Sequence, residues 1–260
     1  PPMLEQPCRP GRLRHLAASA ASTPIRSCEH LAGETPAWTA WLNGKSSLLI
    51  PPRQTRRAII DLEDYLCAYP EMSVSGGQGA LISLKWAEAL YTTADGPDKG
   101  NRDQIEGKYF RGVGDEFRPD GGRKRRFSTL WWETGRYLEL VVQTGAQAPR
   151  LESLVLNETR YPLRKESAFT ADDPRLAACI PLMLRSLQSC AHETYMDCPY
   201  YEQLMYIGDT RLEVLATYVL TRDDRLPRKA LRSFADSRQC SGLLQSRFPC
   251  RVTQTIPPFA

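Results

Sequence analysis

No stretch of the 260 residues approaches the ~20 consecutive apolar side chains that a membrane-spanning helix requires, which excludes a helical membrane anchor within them. The N-terminus also lacks the long apolar core of a secretory signal. Neither a Cys-x-x-Cys pair nor any other metal-ligand spacing occurs, histidine is limited to three residues, and nothing calls for a metal or cofactor. Charge of one sign is scarce too. Lys plus Arg number 34 against 30 Asp plus Glu, a surplus too small and too evenly spread to suggest nucleic acid or a membrane surface as partner. The one dense basic run, Arg123 to Arg126, lies among glycines beside Phe127 and reads as a solvated hairpin end, with a phosphate patch as the alternative.

What is present is the composition of a soluble globular protein, 42% hydrophobic, sufficient for one large core or two smaller ones, with two domains expected. The eight cysteines (Cys8, Cys28, Cys67, Cys179, Cys190, Cys198, Cys240 and Cys250) are expected to be buried free thiols, with disulfides as the alternative. Because the chain begins at Pro1 rather than methionine, it is expected to be processed or a fragment, and its compartment and oligomeric state stay open.

Residues 1–48 are rich in Pro, Ala, Ser and Arg without sustained periodicity and are expected to be a partly ordered lead-in. Short apolar runs separated by glycine and aspartate turns then fill 49–168. Ala58–Leu62, Ala80–Leu90, Phe127–Trp132, Tyr137–Val142 and Leu151–Leu156 fit the strands of a largely antiparallel sandwich. In Leu81 to Trp86 the alternation places Ile82, Leu84 and Trp86 on one face and Ser83 and Lys85 on the other.

The period becomes helical over 169–260. Asp173 followed by Pro174 forms a natural N-cap and first helical residue, and Leu176, Ile180, Met183, Leu187 and Cys190 recur at helical spacing, with a kink expected at Pro181. A second helix is expected from about Thr210 to Leu220 with Leu212, Leu215, Ala216 and Val219 inward. A third is expected over Asp224 to Ser237 with Leu226, Ala230, Leu231 and Phe234 inward. These wide apolar faces need partners, so the core is expected to continue past Ala260.

Asp197-Cys198-Pro199-Tyr200-Tyr201-Glu202-Gln203-Leu204-Met205-Tyr206-Ile207-Gly208-Asp209 brings three carboxylates and three tyrosines together around a proline-stiffened turn. A sugar site needs such a mixture, with carboxylates to hold hydroxyls and move protons and rings to cover the apolar pyranose face. From these residues alone, Asp209 is equally a helix N-cap, Asp197 a turn residue and Glu202 a surface glutamate.

The run from His192 to Arg211 resembles the opening of the six-hairpin catalytic barrel of the α-L-rhamnosidases of glycoside hydrolase family 78, which show an Asp-Cys-Pro turn, a glutamate soon after, and a Gly-Asp at the next helix start. Ile60–Tyr65, Ser75–Gly77, Trp86–Leu90 and Phe127–Tyr137 resemble the β-sandwich preceding that barrel. The resemblance covers roughly 50–260 and is most specific over Asp197 to Asp209. It implies a multi-domain β-then-α chain, an antiparallel β-sandwich followed by the first helices of an incomplete (α/α)6 barrel, and inverting hydrolysis of terminal α-L-rhamnose on a rhamnose-containing carbohydrate. Glu202 matches the general acid, Asp197 and Asp209 match carboxylates that bind rhamnose hydroxyls, and Tyr201 and Tyr206 are implied substrate contacts. A general acid needs a raised pKa, which Asp197, Asp209 and the tyrosine rings are expected to provide at Glu202.

The sequence departs from that pattern where many members carry arginine in place of Tyr201. An inverting site also needs a second carboxylate ~6.5–9.5 Å from the acid, which in the resembled family comes from late in the barrel. No Asp or Glu follows Asp236, so no base is assigned and the chain alone is expected not to turn over substrate.

A zinc-protease reading of His192-Glu193 fails because Met196 stands where a second histidine is required. Ser75-Gly76-Gly77-Gln78-Gly79 lacks the lysine and hydroxyl of a phosphate loop, and Cys198 beside Pro199 reads as a structural thiol rather than a nucleophile. The alternative to an enzyme is a non-catalytic carbohydrate-binding or scaffold module.

Overall fold

The computed structural model describes residues 1–259, and the expected domain end at Ala260 lies outside the described residues. The chain divides into two compact units, one spanning Gln6–Glu158 and the other Pro1–Glu5 together with the residues from Thr159 onward. In chain order the elements are β1 (Leu4–Cys8), β2 (Arg12–Ala17), α1 (Thr35–Leu42), β3 (Leu48–Leu49), β4 (Thr55–Gly76), β5 (Leu81–Ala87), β6 (Val113–Phe117), β7 (Arg125–Ser128), β8 (Glu133–Gln143) and β9 (Pro149–Arg160), then α2 (Pro174–Ser189), α3 (Ile207–Leu220) and α4 (Arg225–Asp236).

The sheet has the order β1-β9-β4-β8-β5-β6, with β2 and β7 also on β4 and β3 on β9. β4 organises it by changing partners along its length. Thr55–Asp61 pairs antiparallel with β2 and β8, whereas Ala68–Gly76 pairs with β9, and a register break separates Asp61 from Leu66. The even-numbered side chains Ala58, Ile60, Ala68, Met72 and Val74 nevertheless enter one core, with Ile82, Leu84 and Trp86 of β5, Leu138, Leu140 and Val142 of β8, and Leu151, Leu154 and Leu156 of β9. Both halves of β4 therefore contribute to one core, and β2, β7, β8 and β9 all pair with it antiparallel. Burying each such leucine contributes about 1.5–3 kcal/mol over leaving it exposed. Gly11, in the left-handed region at φ 79°, opens the turn into β2 where any side chain would meet the Asp61 carbonyl.

The alternation expected for β5 is observed, and Arg125–Ser128 forms only a short strand, with Lys124 at φ 48° in the solvated hairpin. The stretch expected to be a partly ordered lead-in instead holds β1, β2 and α1. Leu16, Trp38, Trp41 and Leu42 are buried in the main core, and the two indoles meet edge to face at 5.8 Å. The outward face of β4 and β8 is covered as well. Ile59, Ala87 and Tyr137 pack with Ile25, Leu90, Ile105 and Phe110 in a smaller core, beside which Arg57 Nε donates to Glu139 Oε1 at 2.7 Å with both side chains almost wholly buried.

In the other unit the Asp173 carboxylate caps α2 by accepting the Arg175 N–H at 2.9 Å, and the helix runs continuously through Pro181. α3 begins at Ile207, three residues earlier than expected, and its inward face differs from the expected one. Thr210, Val214, Thr217 and Leu220 turn to the core, whereas Leu212, Leu215 and Val219 are exposed. In α4, Leu226, Ala230 and Phe234 are buried as expected and Leu231 is exposed. Tyr161, Leu163, Ala191, Tyr195 and Met205 complete this second core. The eight cysteines carry thiols rather than disulfides, and only Cys67 is fully buried, so the expected burial fails at exposed Cys28, Cys179 and Cys240. Among the described residues no helix is long and apolar enough to cross a membrane.

Candidate active site

The segment joining α2 to α3 is held by backbone pairing before any side chain is considered. Met196 N–H donates to Cys190 O at 2.8 Å, Asp197 N–H to Leu204 O at 2.8 Å, and Gln203 N–H to Cys198 O at 3.1 Å. Asp197 closes this turn: its Oδ1 accepts the Leu204 N–H at 3.0 Å and its Oδ2 accepts the Cys198 thiol at 3.3 Å. The Cys198 sulfur in turn receives the Glu202 N–H at 3.3 Å, while burial pushes its thiol pKa up, as suits a structural thiol. Gln203, at φ 55°, turns the chain, and Ile207 N–H donates to Ser246 O at 2.8 Å to fix the start of α3. Tyr206 is the N-cap residue of α3, so the alternative reading of Asp209 as the N-cap does not hold: Asp209 lies within the first turn, where its charge meets the positive end of the helix.

Glu202 is exposed at the tip of the turn. The Tyr206 hydroxyl accepts from the Arg247 guanidinium at 3.0 Å and is hydrogen-bonded to Glu202, and the tyrosine's pKa is raised by burial first and by Glu202 next. Arg247 also stands 5.7 Å from the Tyr206 ring centroid, so a guanidinium reaches this tyrosine although position 201 does not supply one. Tyr201 is 60% exposed and packs edge-on against Tyr200 at 4.8 Å. Asp197, Glu202 and Tyr206 are thus brought together, with Cys198 and Arg247 as connecting groups.

A carboxyl within α3 is strongly desolvated. Glu213, one helical turn after Asp209, has an Oε2 shielded from solvent without a hydrogen-bond partner among the described residues. Burial, followed by repulsion from Asp209 and Asp197, pushes its pKa up to about 8 against an opposing bond from the Met196 amide. The i,i+4 spacing from Asp209 was the available signal. Arg247 left none, because a backbone bridge between Tyr206 and Arg247 across 41 positions brings it in. His192 is a core residue, its Nε2 3.2 Å from Ser189 O and its pKa lowered to about 4 by burial.

Glu213 makes the stability of this unit pH-dependent. An unfolded glutamate ionises near pH 4.5, whereas the folded one keeps its proton to about pH 8, so stability falls as pH rises across that window. Glu213→Gln is expected to flatten the decline, measured as the denaturant midpoint at pH 5 and pH 8. An unchanged difference between the two midpoints contradicts it.

Residues 164–258 match the model of the bacterial α-L-rhamnosidase six-hairpin glycosidase domain. Solved structures are similar over most of the chain. A rhamnosidase from Klebsiella oxytoca with rhamnose bound aligns with a TM-score of 0.69 at 18% identity, over 98% of this chain and 49% of its own. The family GH78 rhamnosidase of Bacillus sp. GL1 aligns at 0.65 and 19% identity, over 85% of this chain and 23% of its own. Streptomyces avermitilis α-L-rhamnosidase complexed with L-rhamnose aligns at 0.56 and 17% identity, over 80% of this chain and 20% of its own. The chain thus spans a quarter to a half of the first two, and at these identities the likeness is one of fold. No curated protein sequence matches it. Over the matched residues the chain is α-L-rhamnosidase-like, and the glycosidase resemblance lies on the segment that holds Asp197, Glu202 and Asp209.

Proposed function

We propose that the turn from Asp197 to Asp209 is the acid side of an inverting α-L-rhamnosidase site, and that α2, α3 and α4 are the first helices of its (α/α)6 barrel. The observation that carries this reading is the connected series Asp197–Cys198–Glu202–Tyr206–Arg247 within the matched six-hairpin residues. Glu202, at the open tip of the turn, protonates the glycosidic oxygen as the oxocarbenium-like transition state forms. Tyr206, fixed by Arg247, orients the Glu202 carboxyl, while Asp197 and Asp209 accept hydrogen bonds from rhamnose hydroxyls and Tyr201 offers its ring to the sugar. Glu213, neutral below about pH 8, keeps a further negative charge away from this group. No carboxylate of these 260 residues is given the role of base, so the chain by itself is expected to release no rhamnose.

The test of the acid is Glu202→Gln in a polypeptide that joins this chain to the later hairpins of a complete barrel, with rhamnose release as the readout. In the same protein, Arg247→Met is expected to lower kcat/KM by ~10-fold, about the worth of one hydrogen bond to a charged group, while Arg247→Lys restores part of it. Equal losses in the two variants count against an orienting role for Arg247.

A further inference from the structure

A cavity of about 620 Å³ opens on the sheet unit, outside the segment already described. That volume lies within the ~300–1,000 Å³ typical of small-molecule sites. Its floor is His15, Ile25 and Ile105, and Gln104 and Glu106 stand at its exposed rim. His15 is only 3% exposed and lies against the His30 ring, with centroids 5.5 Å apart, and among the described residues its ring makes no hydrogen bond. The ring lines the open cavity, so its nitrogens face space that a ligand can occupy.

The other polar groups are already committed. His30 Nδ1 accepts the Leu16 N–H at 3.1 Å and its Nε2 lies 3.1 Å from Thr35 Oγ1, which leaves that ring no spare capacity. Arg14 donates to buried Asp61 at 2.8 Å, Arg136 donates to Asp103 at 2.6 Å, and Glu106 accepts from the Ser27 amide and hydroxyl. What remains is the His15 ring and the Gln104 amide, each able to donate and to accept, above two isoleucines. Burial, with His30 and Arg57 nearby, lowers the His15 pKa and so favours the neutral ring. A neutral imidazole with one donor and one acceptor nitrogen suits a hydroxyl, which offers both in return. The paired guanidinium and the rim carboxylates offer nothing to an anion.

We infer that this cavity is a binding site for a neutral saccharide unit, with ring hydroxyls bonded by His15 and Gln104 and the apolar sugar face lying on Ile25 and Ile105. The site is independent of the rhamnosidase reading, because none of its residues belongs to the Asp197–Asp209 turn.

The test is calorimetric titration of the 260-residue chain with L-rhamnose, D-galactose and D-glucose, and with D-glucuronate as the anionic comparison. At least one neutral sugar is expected to bind saturably and more tightly than D-glucuronate. Gln104→Ala, at an exposed position, and His15→Phe, which keeps the ring's bulk, each weaken binding by at least ~5-fold, whereas Glu116→Gln, at an exposed position of β6 outside the cavity, leaves it unchanged. The inference is overturned if no neutral sugar binds up to about 50 mM to protein that melts cooperatively. It is also overturned if Gln104→Ala and His15→Phe bind as tightly as the parent, if Glu116→Gln abolishes binding, or if D-glucuronate binds best.

Discussion

Replacement of Glu202 by glutamine is expected to lower rhamnose release from a chromogenic α-L-rhamnoside by at least ~10²-fold in a polypeptide that extends this chain with the later hairpins of the proposed barrel, since general acid catalysis is typically worth ~10²- to 10⁴-fold. Glutamine keeps the size and hydrogen-bonding reach of the side chain and removes only the transferable proton. The loss should appear in kcat more than in KM, because protonation of the departing oxygen stabilises the transition state and not the bound sugar. The structure makes the substitution a clean one. Glu202 is exposed; its backbone amide stays bonded to the Cys198 sulfur in the variant, and the glutamine amide can still hydrogen-bond the Tyr206 hydroxyl. A variant with parental activity removes Glu202 from the role.

The largest stability effect is expected at the ion pair buried between β4 and β8. Arg57 and Glu139 are 1% and 2% exposed; the guanidinium also donates to Thr23 O at 2.7 Å, and its remaining nitrogen, Nη2, is buried without a partner. Burial raises the pKa of Glu139, and Arg57 is the first group opposing it. Arg57→Met removes the hydrogen-bonded partner of that buried carboxylate, leaving only the field of Lys85 on the adjacent strand, and is expected to destabilise the sheet unit by about 3–5 kcal/mol, the cost of removing one partner of a buried pair. Arg57→Met combined with Glu139→Leu should recover most of the loss, because an apolar pair of similar volume carries no desolvation penalty. Denaturant unfolding of the two variants decides it: a single substitution costing less than about 1 kcal/mol contradicts the pairing.

Legibility in the sequence followed the strength of local patterns. β5 was readable because Ile82, Leu84 and Trp86 alternate with Ser83 and Lys85 on a strand with one face in the core, and the start of α2 because Asp173-Pro174 is a local signal. α1 was not, since eight residues carry too little periodicity, and only the tertiary core shows why Trp38 and Trp41 belong together. The inward face of α3 was misjudged for a different reason. Its leucines outnumber its threonines, yet Thr217 is buried because its hydroxyl lies 2.6 Å from that of Tyr195 and donates back to Glu213 O, so a polar residue turns inward where its hydrogen bonds are met. At the site, the turn residues were apparent from composition and spacing. The Arg247 contact depends on a chain crossing that no local pattern records, and Glu213 was passed over because a carboxylate among apolar helix residues reads as a solvent-facing position.

The acid role of Glu202 is tested most directly by varying the leaving group. Rhamnosides of increasingly acidic phenols, compared between parent and Glu202→Gln in the completed polypeptide, should show a deficit of ~10²-fold or more for a poorly acidic phenol that nearly vanishes for 2,4-dinitrophenol, which departs without a proton. A deficit of the same size across the whole series would mean that the substitution damages binding or folding, and would contradict the assignment of proton donation to Glu202.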